Sequence, residues 1–214
     1  MSVSEAPPVS ASPAPSTVVG PETLLEVVQA IPDSCRERPL HKGLILVARD
    51  LVIYAAVITG LVLVNTWWLL VPLWALAGIS VAGLFVLGHD AAHGSLFANK
   101  RLNSIVGHVL FIPSQHIYES WVLGHNHIHH RHTARQGMDF VWHPVTPEQY
   151  AEMSRWRRFR HRFEWSAFGA GAYYLREVWW NKMIRLDQPP RKWAASIKRD
   201  RRMLAITTTF IVAG

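Results

Sequence analysis

Ten of the twelve histidines lie between positions 89 and 143. His89 and His93 stand four residues apart, directly after a long apolar run. If a helix continues through them, both imidazoles share one face. A second group, His125, His127, His129, His130 and His132, crowds the string WVLGHNHIHHRHT at 121–133. On an α-helix His125 and His129 share a face, and so do Asn126 and His130. Neutral imidazole is a ligand for iron, copper, zinc or nickel. Two such helices facing each other supply four or more nitrogens near one point. Zinc in a single tetrahedral site uses fewer, whereas a two-metal, nitrogen-rich site suits iron. The lone Cys35 excludes a disulfide scaffold and every multi-cysteine zinc site. His41 reads as interfacial and His161, inside RRFRHRF, as part of a solvated basic face, while His108 and His116 fit either role.

The elements that must position these groups follow from the distribution of charge. The chain has 214 residues, 22 Lys+Arg against 15 Asp+Glu, and a formal net charge of +7. Residues 51–88 carry no charged side chain. A membrane span needs about 20 residues to cross about 30 Å of hydrocarbon, so this run predicts a hairpin, one span at about 46–65 and the next at about 69–88. Asn65, Thr66, Trp67 and Trp68 mark the turn, where indole rings favour the membrane interface. Arg49 and Asp50 belong at the headgroup level. Lys and Arg flank both ends of the hairpin but not its turn, which places both ends, and the histidines after them, in the cytoplasm. The expected fold class is all-α: a multi-span integral membrane helical protein with a cytoplasmic histidine-rich helical cap.

Outside the hairpin, residues 1–21 hold five Pro and five Ser and read as a disordered tail without a secretory signal. Residues 22–45 read as a cytoplasmic or interfacial segment, with a helix over 22–31 stopped by Pro32. The apolar stretch 102–112 is too short for a span and suits a re-entrant or interfacial helix. Basic clusters at 155–162 and 191–202 flank an aromatic stretch, 165–184, that fits the membrane surface. They are cationic surface for anionic headgroups, and no nucleic-acid partner is expected. At 203–214 the chain turns apolar again, as the start of a third span.

GHDAAHGSLF (88–97) resembles the first histidine box of membrane fatty acid desaturases, and WVLGHNHIHHRHT (121–133) the second. GMDFVWHPVTPEQY (137–150) is similar to the Asp…Trp-x-Pro stretch of acyl-lipid desaturases acting near the Δ12 or ω-3 positions. The resemblance covers roughly residues 45–200 and implies a desaturase-like domain over 46–202. It implies His89 and His93 as first-box metal ligands and His125, His129 and His130 as those of the second box, with His127 able to replace His125 because the box is one residue longer than His-x-x-His-His. It further implies Asp90 beside the metal, orienting an imidazole or taking a proton, with Asn126 and His132 as weaker candidates for that place, and Trp121 and Thr133 in packing or positioning roles. The cofactors implied are two iron ions, with O2 as co-substrate, in an enzyme that introduces a cis double bond into an acyl chain. The partners implied are an acyl-lipid or other acyl substrate, membrane lipids, and a ferredoxin or cytochrome b5-type electron donor that the basic patches would attract. The expected location is a membrane, the bacterial plasma membrane, with the boxes facing the cytoplasm. Carotenoid ketolases and hydroxylases and alkane hydroxylases share this type of site, and a non-catalytic membrane metal-binding protein is the rival from another class. The family's third box has no counterpart here, since no histidine follows His161. The chain is therefore expected to be a fragment.

Overall fold

The uncharged run folds as two long helices, α2 (Leu40–Leu63) and α3 (Trp67–Ala92), separated by three extended residues. The computed structural model describes residues 23–133, 135–139, 141, 145–186 and 188–213. The tail expected at 1–21 lies outside the described residues, as do Phe140, Trp142, His143 and Pro144 of the 137–150 stretch, and Gly214. Among the described residues the regular structure is helical throughout. Residues 1–37 and 38–214 divide as two units. In the first, α1 (Leu24–Gln29) starts on a reciprocal capping box between Thr23 and Glu26.

In the second unit, α2 and α3 are the two described helices long and apolar enough to cross a membrane. Helix α2 begins at Leu40, directly after its N-cap Pro39 and earlier than hydropathy alone suggests. Helix α3 runs past the apolar stretch to Ala92, so that His89 is helical and His93 is the C-cap. At 1.5 Å per residue its 26 residues extend about 39 Å, more than the hydrocarbon layer. Its excess length carries the histidine pair beyond the apolar segment.

Helix α4 (Lys100–Phe111) packs back on α3. Asn99 caps it, its side chain accepting from the Arg101 and Leu102 N–H groups. The buried Asn103 ties the connection down, accepting from Phe97 N at 3.0 Å and donating to Phe97 O at 2.6 Å. A Cβ on Gly88 would lie 2.5 Å from the Phe111 ring, so the close approach of α3 and α4 just before His89 depends on glycine. Leu84, Leu87, Ala91, Leu96, Phe97 and Leu110 make the core there.

The second histidine segment is not a plain α-helix. After α5 (Tyr118–Val122) the chain widens into a π-helical stretch, Leu123–His129, before the short α6 (His130–His132). A second π-helical stretch, Tyr174–Ile184, follows α9 (Ala170–Tyr173). Between them lie α7 (Pro147–Ala151) and the arginine-rich α8 (Arg155–Glu164). The last helix, α10 (Arg191–Ala213), crosses without a break from the basic cluster into the apolar stretch expected as a separate segment from 203. No Pro or Gly interrupts 191–213, so nothing in the chain stops the helix where its composition changes.

Candidate metal centre

Helix α3 and the first π-helical stretch bring the two histidine groups together. The His89 and His93 rings lie 4.5 Å apart, and both face His125, at 4.9 and 5.2 Å. His130 stands 4.6 Å from His125 and 4.9 Å from His93. His129 completes the group, 5.4 Å from His125 and 5.6 Å from His130. His125 Nε2 is 3.1 Å from both His89 Nε2 and His130 Nε2. Nitrogens bound to one ion at about 2.1 Å and at right angles lie about 3 Å apart, so this spacing fits shared ligation.

The π-helix explains the long spacing of the second box. With one residue more per turn than an α-helix, it places positions i, i+4 and i+5 on one side. His125, His129 and His130 therefore converge, where an α-helix would have paired His130 with Asn126. Asn126 instead donates to Ala92 O at 2.8 Å, tying this stretch to the end of α3. His127 turns away and packs edge-on against Trp193 of α10, at 5.1 Å. His132 makes no hydrogen bond to the cluster, and its buried Nδ1 has no hydrogen-bond partner among the described residues. Thr133 donates to His129 O at 2.8 Å and closes the turn.

Two carboxylates fix ring orientation. Asp90 Oδ1 lies 3.2 Å from His89 Nδ1. Asp139, which the sequence marked only as part of a resembling stretch, is buried and accepts from His129 Nδ1 at 2.7 Å. Each pairing puts the proton on Nδ1 and leaves Nε2 free for a metal. Trp121 stacks on His125 at 4.2 Å and meets His89 at 5.4 Å. Burial, followed by the neighbouring imidazoles of His89, His130, His93 and His129, pushes His125 down to about 3. Partial burial, then His89 and His130, likewise lowers His93. His93 and His125 are thus neutral nitrogen donors at neutral pH, which is the protonation state that metal ligation requires. Donor set and spacing fit a metal ion.

Under the cluster lies a cavity of about 210 Å3, bounded by His89, His125 and His129 and by Phe85, Val178 and Met183. Tyr174 also lines it. His116 donates from Nδ1 to Ser114 O at 2.7 Å, so its Nε2 accepts from the Tyr174 hydroxyl at 2.9 Å. Burial holds His116 down at about 4 and Tyr174 up at about 12. A second group of donors, His108, Glu119 and Asp200, has its ligand atoms within 4.8 Å of one another. No sequence pattern joins these three, because their separation along the chain reaches 92 residues.

The comparisons agree with this geometry. The fatty acid desaturase family model matches residues 65–214. The sn-1 oleoyl-lipid 12-desaturase of Anabaena variabilis is 28% identical over 183 residues, 81% of this chain and 51% of that protein. The protein of the same name from Picosynechococcus is 38% identical over 130 residues, 59% and 36% respectively. The chloroplastic sn-2 acyl-lipid omega-3 desaturase (ferredoxin) of Arabidopsis thaliana is 34% identical over 139 residues, 65% and 31%. The chain thus spans about half or less of the length of these relatives. The model match runs through both histidine segments and the helices that hold them, and by it the chain belongs to the fatty acid desaturase family.

Proposed function

We propose that the protein is an O2-dependent desaturase that places a cis double bond in the acyl chain of a membrane lipid. The observation that carries this reading is the convergence of five imidazoles over an apolar cavity. His89, His93, His125, His129 and His130 would hold iron, with Asp90 and Asp139 fixing two of the rings. Bound iron supplies the O2-dependent oxidising power that removing hydrogen from an unactivated methylene demands, which side-chain acids and bases lack. Phe85, Val178 and Met183 give an acyl chain an apolar bed beside the ligands and keep water from the reacting carbon. Tyr174 and His116, neutral and hydrogen-bonded to each other, hold that wall in place without adding charge.

In the same reading α2 and α3 span the bilayer and the histidines sit at its cytoplasmic edge, so a lipid-linked chain reaches the centre without crossing water. The domain limits follow: an interfacial segment over 22–45, the desaturase-like domain over 46–202, and a further span beginning at 203. The bacterial plasma membrane is the proposed location. Electrons would come from a ferredoxin, the donor named for the Arabidopsis relative, or a cytochrome b5-type protein. Expression of the full-length protein with its donor, followed by fatty acid analysis under 18O2, tests the reading. New double bonds without 18O in the product support desaturation. Labelled alcohol or ketone identifies an oxygenase instead, and iron binding without any product identifies a non-catalytic protein.

A further inference from the structure

We infer that His108, Glu119 and Asp200 form a separate binding site for one divalent transition-metal cation, which joins α4, α5 and α10. The three ligand atoms lie within 4.8 Å of one another, although each belongs to a different helix. His108 is arranged as metal-bound histidines are. Its Nδ1 donates to Ser104 O at 2.6 Å, which fixes the tautomer and leaves the Nε2 lone pair pointing away from its own helix. That Nε2 is fully buried and, among the described residues, has no well-aligned hydrogen-bond partner. Asp200 Oδ2 lies 3.2 Å from it, an ion-pair contact poorly aligned with the ring N–H axis. Two ligands at about 2.1 Å from a common ion and at a tetrahedral angle lie about 3.4 Å apart. The off-axis contact is therefore what a nitrogen and an oxygen flanking one ion present.

The carboxylates support the same conclusion. Asp200 is 2% exposed. Its Oδ2 accepts from the Glu119 backbone N–H at 3.0 Å, and its Oδ1 from Arg199 at 3.2 Å. These bonds orient the carboxylate as the surrounding groups of a metal site do. The Glu119 carboxylate has no ion-pair partner among the described residues. Two carboxylates this close repel each other, and the exposed Arg199 meets only the far oxygen of one of them; a divalent ion between them turns the repulsion into attraction. The Tyr118 ring lies tilted against the His108 ring, at 4.3 Å. One nitrogen and two carboxylate oxygens suit zinc or manganese, with solvent completing the shell. None of these residues belongs to the histidine cluster, so the site stands apart from the desaturase reading.

Without an ion, burial opposes charge on His108, but the Asp200 carboxylate and the Ser104 carbonyl outweigh it and raise its affinity for a proton. Asp200, Glu119, Arg199 and the hydroxyl of Tyr118 are the ionisable groups around it.

The test is metal counting on the full-length protein in detergent, stripped with chelator and reloaded with Zn2+. Wild type should hold one more ion per chain than Glu119→Gln and His108→Gln, or bind that ion at least tenfold more tightly than either. His125→Ala should retain this ion while losing metal at the histidine cluster, which separates the two sites. Circular dichroism identifies any variant that fails to fold, and Glu119→Gln, at a half-buried position, keeps the test open if His108→Gln does not fold. Equal counts and affinities in wild type and the folded variants would overturn the site and leave a proton-bridged His108–Asp200 pair in its place.

Discussion

Asp139 Oδ1 accepts the Nδ1 proton of His129 at 2.7 Å, and the same oxygen accepts from Val141 N at 2.9 Å. The carboxylate is buried, so neither bond is shared with bulk water. Asp139 therefore sets both the tautomer of His129 and the direction in which its Nε2 points. Asp139→Asn keeps the shape of the side chain but removes its charge, and its amide can present a donor where an acceptor is needed. Metal affinity should fall about 10- to 100-fold while the helical content stays unchanged. Iron content after dialysis at graded chelator concentration measures it. Unchanged retention would show that His129 is oriented by something else.

The π-helical register makes a sharp distinction within the second box. His125 lies 3.1 Å, Nε2 to Nε2, from His89 and from His130, whereas His127 packs against Trp193. His125→Ala should lose bound iron. His127→Ala should keep it and show only a small loss of stability, below about 1 kcal/mol, as for a partly exposed contact. Iron counted on both purified variants decides the register, and the reverse result would place His127 in the centre.

These two cases show what the sequence could disclose. The histidine spacing made a metal centre legible, and the uncharged 51–88 run made two long helices legible, because ligand chemistry and hydropathy are local properties. The width of the helical turn at 123–129 was not legible. A π-turn depends on how the segment packs against α3, through Asn126 and Trp121, and no propensity scale records that. Asp139 could have been suspected as a carboxylate following a histidine box, since metal-bound imidazoles need an acceptor for the other ring nitrogen. His108, Glu119 and Asp200 meet only through the packing of three helices. Helix α3 runs four residues past the apolar segment for a simpler reason: hydropathy locates the apolar segment, whereas the helix stops at its cap.

Gly88 tests the positioning of the first box. A methyl group there would lie 2.5 Å from the Phe111 ring, in a fully buried contact between α3 and α4. Gly88→Ala improves helix propensity by up to about 1 kcal/mol, but overpacking costs about 1–3 kcal/mol. The net effect should be destabilising, with His89 displaced and iron more weakly held. Thermal unfolding in detergent and iron retention measure the two consequences together. A more stable variant with full iron content would mean that the Phe111 ring yields without cost.

Acid should weaken the metal-free fold. His116 is held at about 4 by burial against an ordinary 6.5. Between these values the unfolded chain binds a proton at His116 that the folded chain does not, so stability rises with pH across the window. It is fully present above about 6.5 and lost as the pH falls toward 4, and His125 adds in the same direction. His116→Gln preserves an acceptor for the Tyr174 hydroxyl without the titration. Its unfolding midpoint should therefore fall less steeply between pH 6.5 and 4 than that of wild type. Parallel pH profiles would remove His116 as a source of the acid sensitivity.

In the desaturase reading, the cavity below the histidines makes binding of metal separable from binding of substrate. Val178 and Met183 line it from the second π-helical stretch, and both are buried, at 1% and 0% exposure. They hold apolar surface against the space where, in the desaturase reading, a methylene would sit, and the cluster's hydrogen bonds run to other residues. Met183→Ala should enlarge the cavity and loosen the fold by about 2–5 kcal/mol. Val178→Leu adds one methylene to it at a cost of about 1–3 kcal/mol. The two changes should leave iron content near that of wild type while reducing double-bond formation, and they should alter the preferred acyl length or bond position in opposite senses, because one deepens the bed and the other shortens it. Fatty acid profiles beside iron counts measure both quantities on the same preparation. If product falls only in proportion to iron, the cavity is packing space around the ligands, and the acyl chain must approach the cluster from another side.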